Sequence, residues 1–98
     1  MRRFRVEPEY YEDYQEIISF MNQNEYSERY IAEFKKETRQ AMDYLEINNE
    51  AGSLYDSDSG FPYRKFVYFK HLIIYVLFDE EIRILRLFHE KQDWQNKL

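Results

Sequence analysis

The sequence predicts an α+β fold in which a helical hairpin packs on a small, mainly antiparallel sheet, in the order β-α-α-β-β-β. Two observations lead to this prediction. In the first half of the chain, apolar residues recur every three or four positions, which places them on one face of a helix. In the second half the apolar period falls to two, as in strands. With 98 residues, 2 Gly and 2 Pro, the chain is the size of one domain, and we expect residues 1–98 to form a single domain.

The first strand and the first helix are separated by a proline. Arg3–Val6 alternates basic and apolar residues, which is typical of a strand. Pro8 suits the first turn of a helix, where its missing N–H would have no partner in any case. The helix that follows carries one apolar stripe, made of Tyr10, Tyr11, Tyr14, Ile17, Ile18 and Met21. We expect these tyrosines to lie in the core rather than in a contact surface, and Asn22-Gln23-Asn24 to end the helix.

The second helix is predicted to begin at Ser27, whose hydroxyl suits an N-cap. Asn48-Asn49 then ends the helix, and the polar, turn-rich segment up to Pro62 is predicted to be a mobile loop. The apolar stripe of this helix has the same spacing as the first and contains Tyr30, Ile31, Phe34, Thr38, Ala41, Met42 and Leu45.

Three strands are predicted after the loop, and they form a meander. Arg64–Tyr68 is the first, and Phe69-Lys70 makes a tight connection to Leu72–Phe78. This second segment is apolar throughout, as expected for a central strand that is covered on both faces. Ile82–Phe88 is the third, and its alternation slips around Arg86, which indicates a β-bulge. The polar tail then surrounds a single tryptophan, which is either a lid over the edge of the core or an exposed anchor.

Composition excludes several classes of function. The chain has 14 Lys+Arg and 19 Asp+Glu, a formal net charge of −5, which disfavours non-specific binding to nucleic acid. Without cysteine there is no thiolate metal site and no cysteine nucleophile. The Asp/Ser run between residues 56 and 60 lacks the spacing of a calcium loop. The longest apolar run is far too short to cross a bilayer. We therefore expect no metal, no cofactor, no membrane association and a cytoplasmic location.

The two segments Tyr63–Tyr75 and Glu81–His89 resemble the RelE/ParE toxin superfamily of bacterial type II toxin–antitoxin modules. The ParE-like branch typically reads Leu-Arg-x-Phe-x-Val-x-x-Tyr-Leu-Ile-x-Tyr, then an acidic turn, then Ile-Glu-Ile-Leu-Arg-Val-Leu-His. The ungapped resemblance covers about a third of the chain, and the N-terminal part agrees with it in outline. It implies the same RelE/ParE-like order of strands and helices.

The resemblance implies one of two activities. ParE-like members bind DNA gyrase and have no accepted catalytic site, whereas RelE-like members cleave mRNA on the ribosome without a metal ion. We expect a ParE-like toxin that inhibits growth by binding DNA gyrase. Its expected contacts with the target are Arg83, Arg86, His89 and Trp94.

The RelE-like alternative would make the chain an endoribonuclease acting on ribosome and mRNA. Arg64, Lys70 and Arg86 would then hold the phosphate, and His89 would transfer the proton, since histidine changes charge near neutral pH. The nuclease pattern follows this histidine with tyrosine, where this chain has Glu90. A third alternative is a binding member that is non-toxic or has lost its activity.

Two of these residues also have purely structural interpretations. Arg86 can pair with an acid of the first helix, Glu12 or Asp13, instead of meeting a partner. His89 can be a polar residue at the end of a strand without a chemical role.

The resemblance also implies a cognate antitoxin that wraps the toxin, and we expect either a toxin homodimer or a toxin–antitoxin hetero-oligomer. By analogy, the antitoxin would cover an apolar groove beside Ile17, Met21, Phe34 and Met42. A segment of the antitoxin would also add to an edge of the sheet, a common mode of peptide recognition.

Overall fold

Two helices pack on one face of a five-stranded sheet, which confirms the predicted α+β fold. The structure is a computed structural model and describes all 98 residues. A short 3-10 helix, Trp94–Lys97, follows the last strand. The strands and helices are β1 Arg3–Val6, α1 Pro8–Gln23, α2 Glu28–Ile47, β2 Ser53–Leu54, β3 Arg64–Tyr68, β4 His71–Leu77 and β5 Glu81–His89.

The strands lie in the order β1-β5-β4-β3-β2. Strand β1 runs parallel to β5, and every other neighbouring pair is antiparallel, so the sheet is mainly antiparallel as predicted. Strand β4 occupies the middle of the sheet. Ile74 pairs with Arg86 while Tyr75 pairs with Ile84, which leaves Leu85 as an extra residue in β5. This irregularity is the β-bulge predicted beside Arg86.

The turn between the two helices is held by local hydrogen bonds. The Ser27 hydroxyl accepts a hydrogen bond from the Tyr30 N–H at 3.0 Å, which confirms Ser27 as the N-cap of α2. Just before it, Glu25 adopts a positive φ of 57°, and the Tyr26 N–H donates to the Met21 carbonyl. The chain therefore reverses direction within a few residues and brings α2 back over the sheet.

Both faces of the sheet are covered, which explains why β4 is apolar throughout. Residues of α1 and α2 form the larger core against one face, including Tyr10, Ile17, Phe34 and Leu45. A smaller core covers the opposite face and contains Leu72, Ile74, Phe88 and Trp94, with Tyr55, Tyr63 and Leu85 packed against it. The loop before β3 and the C-terminal tail therefore serve as the cover that a second layer of helices supplies in larger folds.

Two predictions on the chain outside the helices need correction. The segment after α2 is not wholly a loop, because Ser53 and Leu54 pair with Lys65 and Arg64 to form β2. Trp94 is not an exposed anchor, because only 6% of its surface is exposed and its ring lies 4.9 Å from that of Tyr55. Trp94 instead forms a lid over the smaller core. Without this lid, the apolar second face of the sheet would be exposed to water.

The tyrosines of α1 divide between core and surface. Tyr10 is buried as predicted, Tyr14 is half-buried, and Tyr11 is exposed. Neither helix is long and apolar enough to cross a membrane.

Candidate functional site

The Arg86 side chain is bound to α1 by two hydrogen bonds. Its Nε donates to Asp13 Oδ2 at 2.7 Å, and its Nη2 donates to Asp13 Oδ1 at 2.9 Å. Asp13 Oδ2 also accepts the Leu87 N–H at 3.0 Å. These bonds raise the pKa of the Arg86 guanidinium. The predicted pairing of Arg86 with an acid of the first helix is confirmed, and Asp13 rather than Glu12 is the partner.

The Asp13 carboxylate also closes part of the sheet edge. Strand β1 covers β5 only as far as Ile84, so the N–H of Leu87 points away from β4 without a neighbouring strand. The carboxylate accepts that N–H, and further along the Gln92 side chain accepts the N–H of His89. Capping an edge strand with side chains makes it unsuitable for pairing with another chain.

Arg64 also binds within the protein. Its Nη1 donates to the Gly52 carbonyl at 2.7 Å. Tyr75 holds the same segment from the other side, since its hydroxyl accepts from the Gly52 N–H and donates to the Asn49 carbonyl, both at 2.8 Å. These bonds fasten the segment after α2 to the sheet, so the first role of Arg64 is structural.

A cavity of about 590 Å³ lies between α1, the helical turn and the C-terminal end of β5. We call it the histidine cavity, because His71 and His89 both border it. Its apolar lining comes from Ile17, Met21 and Leu87, and its aromatic wall from Phe20, Tyr26 and Tyr30. The rings of this wall pack in series, with centroids 6.2 Å apart for Phe20 and Tyr26 and 5.2 Å apart for Tyr26 and Tyr30.

The Nε2 atoms of the two histidines differ in role, since that of His71 can accept a hydrogen bond and that of His89 can donate one. His71 Nδ1 lies 2.7 Å from the Phe69 carbonyl, and a carbonyl only accepts, so Nδ1 carries the proton and Nε2 is an acceptor in the neutral ring. His89 Nδ1 accepts the Lys91 N–H at 3.0 Å, so its proton lies on Nε2. The rings meet edge to face with centroids 4.9 Å apart.

Burial lowers the pKa of both histidines, because it penalises the charged imidazolium. For His89, the charges of Lys91 and Lys70 lower the pKa further while Glu90 opposes them. His71 is fully buried, and its Nε2 has no hydrogen-bond partner in the protein.

Three lysines surround the cavity in a protein whose net charge is −5. They are Lys70, Lys91 and Lys97, and all are exposed. Two acids, Asp13 and Glu16, also border it, but the Asp13 charge is already paired with Arg86. The chain has no group of three His, Asp or Glu side chains placed to hold a metal ion.

The four residues considered for a nuclease are thus only partly brought together. Lys70 and His89 border the histidine cavity, whereas Arg64 and Arg86 do not. The guanidinium groups of these two arginines are bound to Gly52 and Asp13. The cations that border the cavity with His89 are Lys70, Lys91 and Lys97, and neither arginine joins them.

The four residues expected to bind the target are also dispersed. Arg83 forms ion pairs with Glu81 at 2.7 Å and Glu7 at 3.5 Å, and about a third of its side chain is exposed. Arg83 and His89 lie near opposite ends of β5, roughly 20 Å apart at the usual rise per strand residue. Trp94 is buried, whereas Arg83, Arg86 and His89 keep accessible surface, although Asp13 holds the Arg86 guanidinium.

The residues predicted for an antitoxin groove belong to the core. Ile17, Met21 and Phe34 are at most 9% exposed because their side chains pack against the sheet, and only Met42 is half-buried. Ile17 and Met21 also line the histidine cavity, so an antitoxin contact beside these residues stays a prediction. Helical spacing identifies the apolar face of a helix, but it does not say whether the sheet or a partner covers that face. The exposed apolar residues of the two helices are Tyr11, Phe20, Tyr44 and Ile47.

His71 is the site residue to which sequence reasoning assigned no role. The available signal was its position, since it directly follows the Phe69-Lys70 turn and opens the apolar run of β4. A histidine at the start of a fully buried strand must find partners inside the protein, and here only one of its two nitrogens does.

Comparison with known proteins agrees with this architecture. Residues 4–94 match the family described as "ParE toxin of type II toxin-antitoxin system, parDE". No match is found among curated proteins. The solution structure of the conserved hypothetical protein HP0894 from Helicobacter pylori is similar to this chain, with a TM-score of 0.57 and 14% sequence identity over 94% of this chain and 98% of that one. At that identity the likeness concerns the fold alone. Because the family match spans nearly the whole chain, the protein belongs to the ParE toxin family of type II toxin–antitoxin systems.

Proposed function

We propose that this toxin inhibits growth by binding DNA gyrase, and that a cognate antitoxin neutralises it. One observation favours binding to a protein target over cleavage of RNA. Arg64 and Arg86, the cations that a nuclease would place on the phosphate, both donate to acceptors of this chain. Cleavage requires free charge where the phosphorane develops, and these guanidinium groups are not free to supply it.

The overall charge supports the same choice. A net charge of −5 repels the phosphates of ribosomal RNA at long range, whereas a ribosome-dependent nuclease gains its association rate from a basic surface. A protein target such as gyrase imposes no such requirement.

Arg83 and His89 are the proposed contacts with gyrase. Both have accessible surface on β5, and arginine is enriched at the energetic centres of interfaces. Arg86 is left out because less of its side chain is exposed, 26% against 35% for Arg83, and because its partner Asp13 is buried. Trp94 is left out because it is part of the smaller core.

The proposed antitoxin contact is the outer edge of β3. Strand β2 pairs only with Arg64 and Lys65, so Phe66–Tyr68 forms the outermost strand of the sheet at that end. Val67 is 55% exposed there. Tyr44 of α2 stacks on Phe66, with ring centroids 5.8 Å apart, and Ile47 is exposed one turn later. An extended antitoxin segment pairing with β3 would cover these apolar groups.

Expression of the chain without its antitoxin tests the proposed function. We expect loss of viable cells together with induction of the DNA-damage response, and no codon-positioned cuts in translated mRNA. The Arg83→Ala variant should restore viable counts at least tenfold, whereas Arg39→Ala, an exposed arginine on α2, should not. Growth arrest with mRNA cuts and without DNA damage would favour the nuclease, and unchanged growth would favour a non-toxic member.

A further inference from the structure

The His71 ring carries a buried acceptor that nothing in the protein satisfies. Its Nδ1 is committed to the Phe69 carbonyl, and its Nε2 is buried without a partner. Buried polar atoms in native proteins nearly always have a partner. His71 borders the histidine cavity but has no exposed surface, so a donor in the cavity reaches Nε2 only when the side chains that cover it move aside.

The other residues that line the cavity indicate which further chemical groups a ligand would carry. Phe20, Tyr26 and Tyr30 offer aromatic surface on one side. Lys70 and Lys91 border the cavity beside His89, as does the acid Glu16, and His89 adds a donor at Nε2. The volume of about 590 Å³ lies within the usual range of small-molecule sites.

We propose that the histidine cavity binds a small aromatic anion that carries a hydroxyl or amino donor. The ring lies against the aromatic wall, the anionic group is held by Lys70 and Lys91, and the donor binds His71 Nε2. The cavity shares His89 with the proposed gyrase contact but not Arg83 or the edge of β3, and binding of a small ligand can be measured without gyrase or antitoxin.

The proposal is tested with three matched probes on the full chain. 4-Hydroxybenzoate has the ring, the charge and the donor. Benzoate lacks the donor, and methyl 4-hydroxybenzoate lacks the charge. The ¹⁵N signals of the two histidine rings, the only histidines in the chain, report binding and tautomer directly.

We expect 4-hydroxybenzoate to shift the His71 and His89 signals and to bind about tenfold more tightly than either control probe. Benzoate loses one buried hydrogen bond, and the methyl ester loses the charged contact with the lysines. Equal affinity for benzoate would overturn the proposal, because water would then satisfy His71. Equal affinity for the methyl ester would overturn the anionic site. Absence of any shift at millimolar probe would overturn the cavity as a site.

Single substitutions test the contact with the anionic group and the contact with the donor separately. Lys91→Gln should weaken 4-hydroxybenzoate at least threefold and leave the methyl ester unchanged, whereas Lys36→Gln, an exposed lysine of α2, should change neither. His71→Asn keeps a donor for the Phe69 carbonyl but removes the Nε2 acceptor, so 4-hydroxybenzoate should lose its advantage over benzoate. If that variant does not fold, the Lys91 and Lys36 pair still decides whether the anion binds here.

Discussion

At the scale of single residues, the Asp13 carboxylate holds α1 against β5. It is 7% exposed, accepts two hydrogen bonds from Arg86 and one from the backbone of β5, and thereby joins α1 to the sheet. The charge of Arg86 offsets the cost of burying the carboxylate, so the two residues depend on one another.

Asp13→Asn should destabilise the protein by about 3 kcal/mol, because it leaves the Arg86 charge half-buried without a counter-ion. Urea unfolding measures the loss. Glu12→Gln, an exposed acid beside it, should stay within about 0.5 kcal/mol of the parent. Equal stability of Asp13→Asn and the parent would show that the ion pair contributes nothing.

His71 should make stability depend on pH. Burial holds its folded pKa below the ordinary value near 6.5, so below that pH the unfolded chain binds more protons than the folded one. The free energy of unfolding should therefore fall as the pH drops from 7.5 to 5.5. His71 is surrounded by Tyr68, His89 and Glu90, and burial lowers the pKa of His89 as well.

His71→Asn should remove most of this pH dependence, and His89→Gln should remove the smaller remainder. Unfolding in urea at several pH values provides the comparison. An unchanged slope in His71→Asn would contradict the assignment of the titration to His71.

At the scale of elements, the sequence predicts the helices and the meander well because each has a clear periodic pattern. The bulge beside Arg86 was also visible as a break in alternation. Strand β2 is not visible in the sequence, because Ser53 and Leu54 have no strand pattern of their own. These two residues pair with β3 where Arg64 and Tyr75 hold the neighbouring Gly52 by hydrogen bonds. The burial of Trp94 likewise depends on the second face of the sheet, which no local pattern reveals.

Gly52→Ala tests the anchoring of β2. A Cβ at this position would lie 2.7 Å from the Tyr75 ring and 3.0 Å from the Lys65 carbonyl. We expect a loss of about 2 kcal/mol from overpacking, measured by urea unfolding. Ser53→Ala, next in sequence and exposed, should have little effect. A neutral Gly52→Ala would mean that the segment is not held against β4.

Val67→Lys tests the open edge of β3 as the antitoxin contact. The side chain is exposed, so the fold should tolerate lysine, but a charge on an edge strand opposes pairing with another chain. Affinity for the antitoxin, measured by titration calorimetry, should fall at least tenfold. Tyr11→Lys, an equally exposed apolar residue on α1, should bind normally. Full affinity of Val67→Lys would exclude this edge.

At the scale of the whole molecule, the candidate site was only partly predictable. Spacing places Ile17, Met21 and Phe34 on apolar faces, but the sheet already covers those faces. The arginines proposed for a phosphate site instead bind Gly52 and Asp13. Of the candidate site residues, Arg83 and His89 remain accessible, together with a cavity bordered by lysines. This arrangement suits binding to a protein target better than cleavage of RNA.

Purified DNA gyrase provides the most direct test of that central claim. With supercoiled plasmid and the wild-type chain at micromolar concentration, the proposed function predicts accumulation of linear, gyrase-cleaved DNA, and a return towards background with Arg83→Ala but not with Arg39→Ala. Unchanged supercoiling and no linear DNA, with the wild-type chain folded and able to bind its antitoxin, would contradict it.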